Sequence, residues 1–411
     1  MFTRVETTEE ETVVEFSVQL NKAASKVTDA VISVGDASVI DKYNAEHGTS
    51  YVAFPQENVS IDDGGLAVIF EGEVSSDPIG LTVTVDESIS KDVTYAFPLK
   101  ITSTTKGVSS GADHIVFVRN CEGKKFASSA KPSGIKLFSC METGSTNPLF
   151  HKSFMLEKSG LPLFDVVILF SAKIVYDEQE CRLKISNTPA IAGIIQSDVV
   201  QQLHDYGMKV IISVLGSEEA GVAHLTDAAC KTFAQEIANY CEAYDLDGVF
   251  FDDEYTYSWN HPGLTSPSTE RAARLCYETK MAMPDKLVTC YIYSRTCGFH
   301  SKIEGMEPGD FVDYAISDYG NWDTESGYLG MERRQVAPCS ANFASSYARW
   351  TATASNLQKL RNQGYGAFMV YCLTFHVAEV WDREMDSLRN IAKYLYDDNL
   401  VFTGEKPETT W

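Results

Sequence analysis

The sequence predicts an α/β protein, a (β/α)8 TIM barrel preceded by a small β-sandwich domain. With 411 residues, the chain is long enough for one large barrel and an added domain. Up to about residue 120, short runs alternate apolar and polar positions and are separated by turn residues, a pattern typical of a sandwich. From residue 135 onward, apolar runs alternate with segments of helical period, which indicates parallel strands joined by helices.

The first region, residues 1–121, contains the strands of the predicted sandwich. Its alternating runs are Val13 to Leu20, Leu66 to Phe70, Leu81 to Val85, Tyr95 to Thr102 and His114 to Val118. We expect these strands to be antiparallel, with one short helix from Ser38 to His47. Because the region gathers no carboxylates, histidines or nucleophile, we do not expect catalysis here. It is a spacer or binding accessory, or it only packs against the next domain.

The second region begins after residues 122–134, a polar segment broken by Gly and Pro that is predicted to be a linker. Residues 135–411 then hold eight apolar runs within about 240 residues, which fits a parallel sheet closed as a barrel. The predicted strands are Ile135 to Ser139, Val166 to Phe170, Lys209 to Leu215, Gly248 to Phe251, Leu287 to Tyr293, Phe311 to Ile316, Gln335 to Pro338 and Ala367 to Tyr371.

Helices are predicted between these strands from capping residues and apolar stripes. Thr226 can cap a helix that leads into the fourth strand, and Ser266 followed by Pro267 marks the start of another. A third helix from Val380 to Tyr396 would close the barrel, leaving Thr403 to Trp411 as a polar tail.

Composition excludes several classes of function. The 34 basic and 57 acidic residues give a formal charge of −23, which disfavours nucleic acid and anionic membranes but is compatible with a neutral substrate. No apolar run approaches the roughly 20 residues that cross a bilayer, and the first residues lack the apolar core of a targeting segment. Ten cysteines and eight histidines show no metal-ligand spacing, so we predict neither a catalytic metal nor a cofactor.

One predicted strand ends in three consecutive acids, Asp252, Asp253 and Glu254. Asp and Glu are poor strand formers and are costly to bury, so this ending suggests chemistry. Side chains two apart on a strand share a face, so Phe250, Asp252 and Glu254 point one way and Asp253 the other. Paired carboxylates suit acid/base catalysis because each raises the proton affinity of the other. Such acids also serve as metal ligands, so a cation site or a solvated loop remains the alternative at this point.

The stretch from Asp247 to Glu254 resembles the signature of family 18 glycoside hydrolases, Asp-x-x-Asp-x-Asp-x-Glu at the end of the fourth barrel strand. It is most similar to that of the endo-β-N-acetylglucosaminidase branch, in which Leu-Asp-Gly-Val leads into Asp-Asp-Glu-Tyr. Asp247, Asp252 and Glu254 match the first, third and fourth acids, and Phe250 stands in place of the second. The resemblance implies that Glu254 is the proton donor and that Asp252 orients the substrate. Asp247, Asp253 and Tyr255 are expected to bind substrate.

The resemblance extends to the ends of other strands. Ser213-Val214-Leu215-Gly216 is similar to the Ser-x-Gly-Gly turn of the family. Tyr319 follows the sixth strand, where the family carries a tyrosine that binds the acetamido group of the substrate, so we expect it to act in catalysis. Trp322 in the same loop, and Met369 and Tyr371 at the eighth strand, are expected to bind substrate, since sugar faces pack on aromatic rings.

The function implied by the resemblance is an endo-β-N-acetylglucosaminidase that hydrolyses the di-N-acetylchitobiose core of N-linked glycans with retention. Its partners would be N-glycans or glycoproteins, and its location would be periplasmic, secreted or cell-surface anchored. The first region resembles the β-domain that precedes some bacterial members of the family, so a binding accessory there would bind glycans. Two alternatives remain, a chitinase and a non-catalytic glycan-binding protein on a hydrolase barrel.

Overall fold

The computed structural model describes residues 2–47, 49–91, 93–109, 111, 114–122, 124–319, 322, 328–344, 352–373 and 378–408. The chain divides into two compact units, Met1–Lys124 and Lys125–Trp411. The end of the predicted polar tail, residues 409–411, lies outside the described residues.

The first unit is a β-sandwich with one helix. Its elements are β1 Phe2–Thr7, β2 Glu11–Phe16, β3 Thr28–Val34, α1 Ser38–His47, β4 Val52–Ala53, β5 Val59–Ile61, β6 Leu66–Ile69, β7 Ile79–Thr84, β8 Thr94–Thr102 and β9 His114–Asn120. One sheet has the order β1-β9-β8-β3-β6 with β4 beside β8, and the other has the order β2-β7-β5. Ile32 and Phe97 of the first sheet share a core with Leu81 of the second, as expected of a sandwich. The predicted helix is confirmed.

The predicted antiparallel pairing is confirmed for β2 with β7 and for β8 with β9, but two pairs that include strands not predicted from the sequence are parallel. β1 pairs with β9 in parallel, and so does β4 with β8. In both pairs the partners are far apart in sequence, so no tight hairpin joins them and no antiparallel direction is imposed.

The second unit is the barrel. Its strands are β10 Lys136–Glu142, β11 Phe154–Leu156, β12 Val166–Asp177, β13 Arg182–Ser186, β14 Lys209–Leu215, β15 Gly248–Asp252, β16 Leu287–Ile292, β17 Tyr314–Ser317, β18 Val336–Ala337, β19 Ser340–Asn342, β20 Ala367–Tyr371 and β21 Leu400–Phe402. Its helices are α2 Pro189–Gln196, α3 Val199–Asp205, α4 Asp227–Ala243, α5 Thr269–Ala282, α6 Pro308–Phe311, α7 Ala354–Asn362 and α8 Ala378–Tyr396.

Nine parallel strand segments form the barrel sheet, in the order β18-β17-β16-β15-β14-β12-β10-β20-β19. The first and last of these, β18 and β19, follow each other directly in sequence and are separated by Pro338 and Cys339. They therefore act as one interrupted seventh strand, pairing with β17 on one side and β20 on the other. Proline has no backbone N–H to donate, which accounts for the interruption. The predicted eight-stranded barrel is confirmed.

Alternation along each strand separates the barrel interior from the helix layer. Phe250 of β15 lies in an inner cluster with Phe138, Ile211 and Met369. Its neighbour Phe251 packs outward in the large cluster that includes the helices. The strand period of two thus places Asp252, two residues beyond Phe250, on the interior side at the carboxyl end of the strand.

Helix starts followed the predicted capping rules with one shift. The Thr226 side chain accepts a hydrogen bond from the Ala229 N–H at 3.3 Å and caps α4, as predicted. The next helix, α5, begins two residues later than the expected Ser266–Pro267 start. Ser268 is its cap, because its hydroxyl accepts from the Arg271 N–H at 3.2 Å.

Two other differences from the prediction change the type or the pairing of an element. β12 runs past Phe170 to Asp177 and pairs with the antiparallel β13, where only a short apolar strand was expected. Phe311 ends the short helix α6 instead of starting a strand. Pro308 at the first turn and the reciprocal bonds of Glu307 and Asp310 favour that helical turn.

Candidate active site

The acidic pair lies where the carboxyl end of β15 meets the barrel interior. Asp252 is 3% exposed, whereas Glu254 is half-buried at the rim. Their side chains share a hydrogen bond. A carboxyl group that is buried and a second that reaches solvent thus occupy one face, two residues apart.

Both carboxyls hold their protons to higher pH than usual. Burial raises the pKa of Asp252 well above its ordinary value, and the charge of Glu254 raises it further. Burial also raises the pKa of Glu254, although hydrogen bonds from Tyr255 and Asp252 act in the opposite direction. Because the two groups titrate together, the pair retains one shared proton beyond the range in which an isolated carboxylic acid would lose it.

A glycine allows the loop after β14 to approach this strand end. A Cβ at Gly216 would lie 2.3 Å from the Glu254 carbonyl oxygen, so no larger residue fits without moving the backbone. The Gly216 N–H also donates to the Asp252 carbonyl at 3.3 Å. The turn that carried the family resemblance therefore fixes the backbone between the two acids.

Three tyrosines form an aromatic wall beside the acids, at the ends of β16, β17 and β20. The Tyr319 and Tyr371 rings stack at 5.8 Å with an interplanar angle of 15°. Tyr291 lies 6.1 Å from Tyr319, tilted by 34°. The Tyr291 hydroxyl donates to Asp318, and the Tyr371 hydroxyl donates to Glu142 at the end of β10.

Sequence reasoning named Tyr319 and Tyr371 but assigned no role to Tyr291, Asp318 or Glu142. Tyr291 lies close to the end of a predicted strand and the other two follow predicted strands, which is the signal that could have identified them. Burial and the bond to Asp318 raise the pKa of Tyr291, and burial and the bond to Glu142 raise that of Tyr371. Both phenols therefore stay protonated over the range in which the acids titrate.

Asp247 lies at the other end of the strand, so its assignment to substrate binding was wrong. It directly precedes β15, about 16 Å from Asp252 along the strand at ~3.3 Å per residue. Its Oδ2 is 2.8 Å from His204 Nε2 and accepts from the Val210 N–H at 2.7 Å. This first acid of the motif therefore anchors the base of the barrel.

We expect Asp247→Asn to reduce stability in a pH-dependent way. Burial by itself would lower the pKa of His204, but the charges and hydrogen bonds of Asp247 and Asp245 raise it to about 10. A histidine whose pKa is higher in the folded state than its unfolded value of ~6.5 stabilises the fold. This stabilisation is complete below pH ~6.5 and is lost as the pH rises toward 10. Breaking such a partly buried pair costs about 3 kcal/mol.

The measurement is urea unfolding of parent and Asp247→Asn at pH 6 and pH 10. The loss of unfolding free energy should be large at pH 6 and much smaller at pH 10, and exposed Asp285→Asn serves as the matched control. An equal loss at both pH values would contradict the role of the His204 charge.

Met369 and Trp322 both pack against other side chains of the barrel unit. Met369 is nearly fully buried in the interior cluster, one layer beneath Tyr371. The Trp322 ring contacts Tyr365 edge-on at 6.1 Å, and the Lys359 ammonium lies 4.1 Å from its centre. Since Lys359 is on α7 and Tyr365 precedes β20, Trp322 packs in the helix layer. Neither assignment to substrate binding fits these positions.

Asp253 faces away from the acidic pair, and Tyr255 lies at the rim. Asp253 is 2% exposed and accepts from the Ala223 N–H at 3.3 Å, with Arg295 3.8 Å from its Oδ2. It therefore holds neighbouring loops together, and it also lines a cavity with Glu254 and Tyr255, so its role in substrate binding stays a prediction. Tyr255 is exposed and its side chain hydrogen-bonds Glu254, so it stays a candidate for substrate binding.

Within the described ranges, no group of three or more His, Cys, Asp and Glu side chains is arranged to hold a metal ion. Among the same residues, no helix is both long and apolar enough to span a membrane.

Comparison with known proteins gives three informative matches. The chain is 38% identical over 325 residues to endo-beta-N-acetylglucosaminidase F1 of Elizabethkingia meningoseptica, covering 78% of this chain and 95% of the relative. It is 28% identical to Bacteroides thetaiotamicron EndoBT-3987 solved with Man5GlcNAc product, with a TM-score of 0.64, covering 100% of this chain and 95% of that one. The structure of the same enzyme in complex with Man9GlcNAc2Asn substrate matches at 27% identity, with the same coverage and TM-score. Residues 1–108 match a family model described as a "-like, N-terminal domain".

Proposed function

The chain belongs to the endo-β-N-acetylglucosaminidase branch of family 18 glycoside hydrolases, and on this premise we propose that it cleaves the di-N-acetylchitobiose core of N-linked glycans. The observation that carries the proposal is the hydrogen-bonded pair of buried Asp252 and half-buried Glu254 at the open end of the barrel. The Man9GlcNAc2Asn substrate bound by EndoBT-3987 supports the choice of an N-glycan. Cleavage would leave one N-acetylglucosamine on the asparagine.

Glu254 is the group that exchanges protons in this proposal. It reaches the rim, where a glycosidic oxygen can approach, and burial raises its pKa, which favours the protonated form that an acid needs. Glu254 donates that proton to the departing oxygen as the bond to the anomeric carbon breaks. It then takes a proton from the water that completes hydrolysis, which restores the starting state.

Asp252 is the group that serves the substrate nucleophile. In family 18 the acetamido oxygen of the substrate attacks the anomeric carbon, so no protein carboxylate forms a covalent bond. With the shared proton on Glu254, Asp252 is the anion that accepts a hydrogen bond from the acetamide N–H and then stabilises the positive charge of the oxazolinium ring that forms. The deep burial of Asp252 favours this role, since a buried site strengthens charge attraction.

The aromatic wall would hold the sugar whose bond is cleaved. Tyr319 and Tyr371 present stacked rings to the space beside Asp252, and their hydroxyl groups stay protonated donors. We propose that Tyr319 contacts the acetamido group and that Tyr371 supports the sugar face. Because Glu142 already accepts from Tyr371, that ring is fixed in orientation before substrate binds.

Three assays test the proposed activity. They measure cleavage of an N-glycopeptide, cleavage of a chitin oligomer, and binding to a glycan array. We expect release of an oligosaccharide from the glycopeptide that leaves one N-acetylglucosamine on the peptide. Faster cleavage of chitin oligomers would indicate a chitinase, and binding without cleavage would indicate a glycan-binding protein. A glycoprotein substrate also fits a periplasmic, secreted or surface location, which fractionation of the host cell would test.

A further inference from the structure

Two buried thiols meet where the helix α5 packs on the strand β16. The Cys276 Sγ atom on the helix lies 3.4 Å from the Cys290 Sγ atom on the strand. Both residues are buried in the large cluster between the sheet and the helices. A disulfide bond has a sulfur–sulfur distance of about 2.05 Å, so the two atoms need to approach by only ~1.4 Å, which rotation of the side chains can supply.

Other buried thiols nearby are directed at backbone oxygens instead of at a second sulfur. The Cys241 Sγ atom donates to the Gly248 carbonyl oxygen at 3.6 Å. The Cys230 Sγ atom lies 4.0 Å from two backbone carbonyl oxygens. Cys276 and Cys290, in contrast, are each other's hydrogen-bond partner. The geometry therefore selects one pair among these four cysteines.

The pair joins two elements that follow each other in the chain. The helix α5 ends at Ala282 and the strand β16 begins at Leu287, so a bond between residues 276 and 290 closes a loop of only 15 residues. Directly after Cys290 comes Tyr291, whose ring belongs to the aromatic wall beside the acids. Such a bond would fix the helix layer to a strand that carries part of the active site.

Burial decides when this pair can react. It raises the pKa of the Cys276 thiol well above the ordinary value, and the neighbouring Cys290 raises it further. Thiol–disulfide exchange needs a thiolate and contact with the oxidant. The folded protein denies both, so the pair reacts while the chain folds or opens locally. Its oxidation state is therefore set by the compartment in which the chain folds.

We propose that Cys276 and Cys290 form a disulfide bond when the chain folds in an oxidising compartment, and that the bond then persists inside the fold. Disulfides form in the periplasm and in secreted proteins, which are among the locations expected for this chain. The bond staples α5 to β16 and stabilises the barrel. It takes no part in glycan hydrolysis, so this proposal stands or fails independently of the proposed function.

The oxidant is a small-molecule disulfide, and the bond forms in two exchange steps. The thiolate of one cysteine attacks a sulfur of the oxidant, which releases one small thiolate and leaves a mixed disulfide on the protein. The thiolate of the other cysteine attacks the protein-bound sulfur of that mixed disulfide, so the protein bond forms and a second small thiolate leaves. Two electrons pass from the protein to the oxidant, and the two protons lost by the protein end on the released thiols.

The test refolds the full chain from urea in two buffers, one with oxidised and reduced glutathione and one with reductant alone. Free thiols are then blocked with N-ethylmaleimide in urea, and the peptides are mapped by mass spectrometry. We expect the Cys276 and Cys290 peptides to be linked after refolding with glutathione and to be alkylated after refolding with reductant. Oxidised glutathione added after folding should link them at least about tenfold more slowly, because the folded protein excludes it.

Urea unfolding tests the stabilising role of the bond. Closing a loop of this size should raise the midpoint of the oxidised parent by roughly 1 M relative to the reduced parent. Cys276→Ala should abolish this difference, whereas Cys241→Ala, which removes another fully buried thiol, should retain it. If a variant does not fold, the comparison of oxidised and reduced parent decides alone.

Two results would contradict the proposal. The first is that Cys276 and Cys290 stay free after refolding with glutathione, or that either is linked to a different cysteine or only to glutathione. The second is a linked pair whose urea midpoint equals that of the reduced parent, which would remove the stabilising role.

Discussion

Replacing Glu254 by Gln should lower N-glycopeptide turnover by at least about 100-fold, because glutamine keeps the shape but cannot exchange a proton. Both halves of the reaction need that exchange, since the departing oxygen must gain a proton and the attacking water must lose one. Glycopeptide binding should persist, because the aromatic wall is unchanged. The measurement is single-turnover hydrolysis with saturating enzyme, together with binding of the uncleaved glycopeptide.

Glu219→Gln is the matched control for this variant. Glu219 is an exposed glutamate in the loop after β14, so its neutralisation changes rim charge without touching the acid pair. Its turnover should stay close to that of the parent. Near-normal hydrolysis by Glu254→Gln, with the fold intact, would remove Glu254 from the mechanism.

Replacing Asp252 by Asn should abolish most glycopeptide hydrolysis while substrate still binds. Asparagine can hydrogen-bond the acetamide but cannot become the anion that stabilises an oxazolinium. Removal of one such preorganised electrostatic contact costs about 100- to 1,000-fold in rate. The loss should be pronounced here because Phe250 occupies the layer beneath Asp252 and supplies no second carboxylate.

The strand pattern made much of the barrel predictable. Lys209–Leu215 and Ala367–Tyr371 are strands with the bounds that the sequence indicates, because each is an apolar run with clear ends. The same period of two placed Phe250 and Asp252 on one face. The structure confirms that Phe250 lies inside the barrel.

Other parts of the site could not be predicted because they depend on closure of the barrel. Glu142 and Tyr371 are 229 residues apart, yet they are bonded because β10 and β20 are neighbours with Cys140 opposite Tyr371. No local pattern encodes that pairing. Trp322 lies in a segment without periodicity, so the sequence does not indicate whether its side chain points into the barrel or toward the helix layer. Asp247 was misassigned for a different reason: the motif covers a whole strand, and its first acid therefore lies at the opposite end.

The most direct test of the account gives the Asp252→Asn variant a preformed glycan oxazoline and an acceptor that carries N-acetylglucosamine. The substrate-assisted mechanism predicts that the variant forms coupled product from oxazoline although it barely hydrolyses glycopeptide, because Glu254 remains to assist the second step. Glu254→Gln, measured in parallel, should lose both reactions. If Asp252→Asn hydrolyses glycopeptide as fast as the parent, Asp252 does not support an oxazolinium and a protein nucleophile must replace the acetamide.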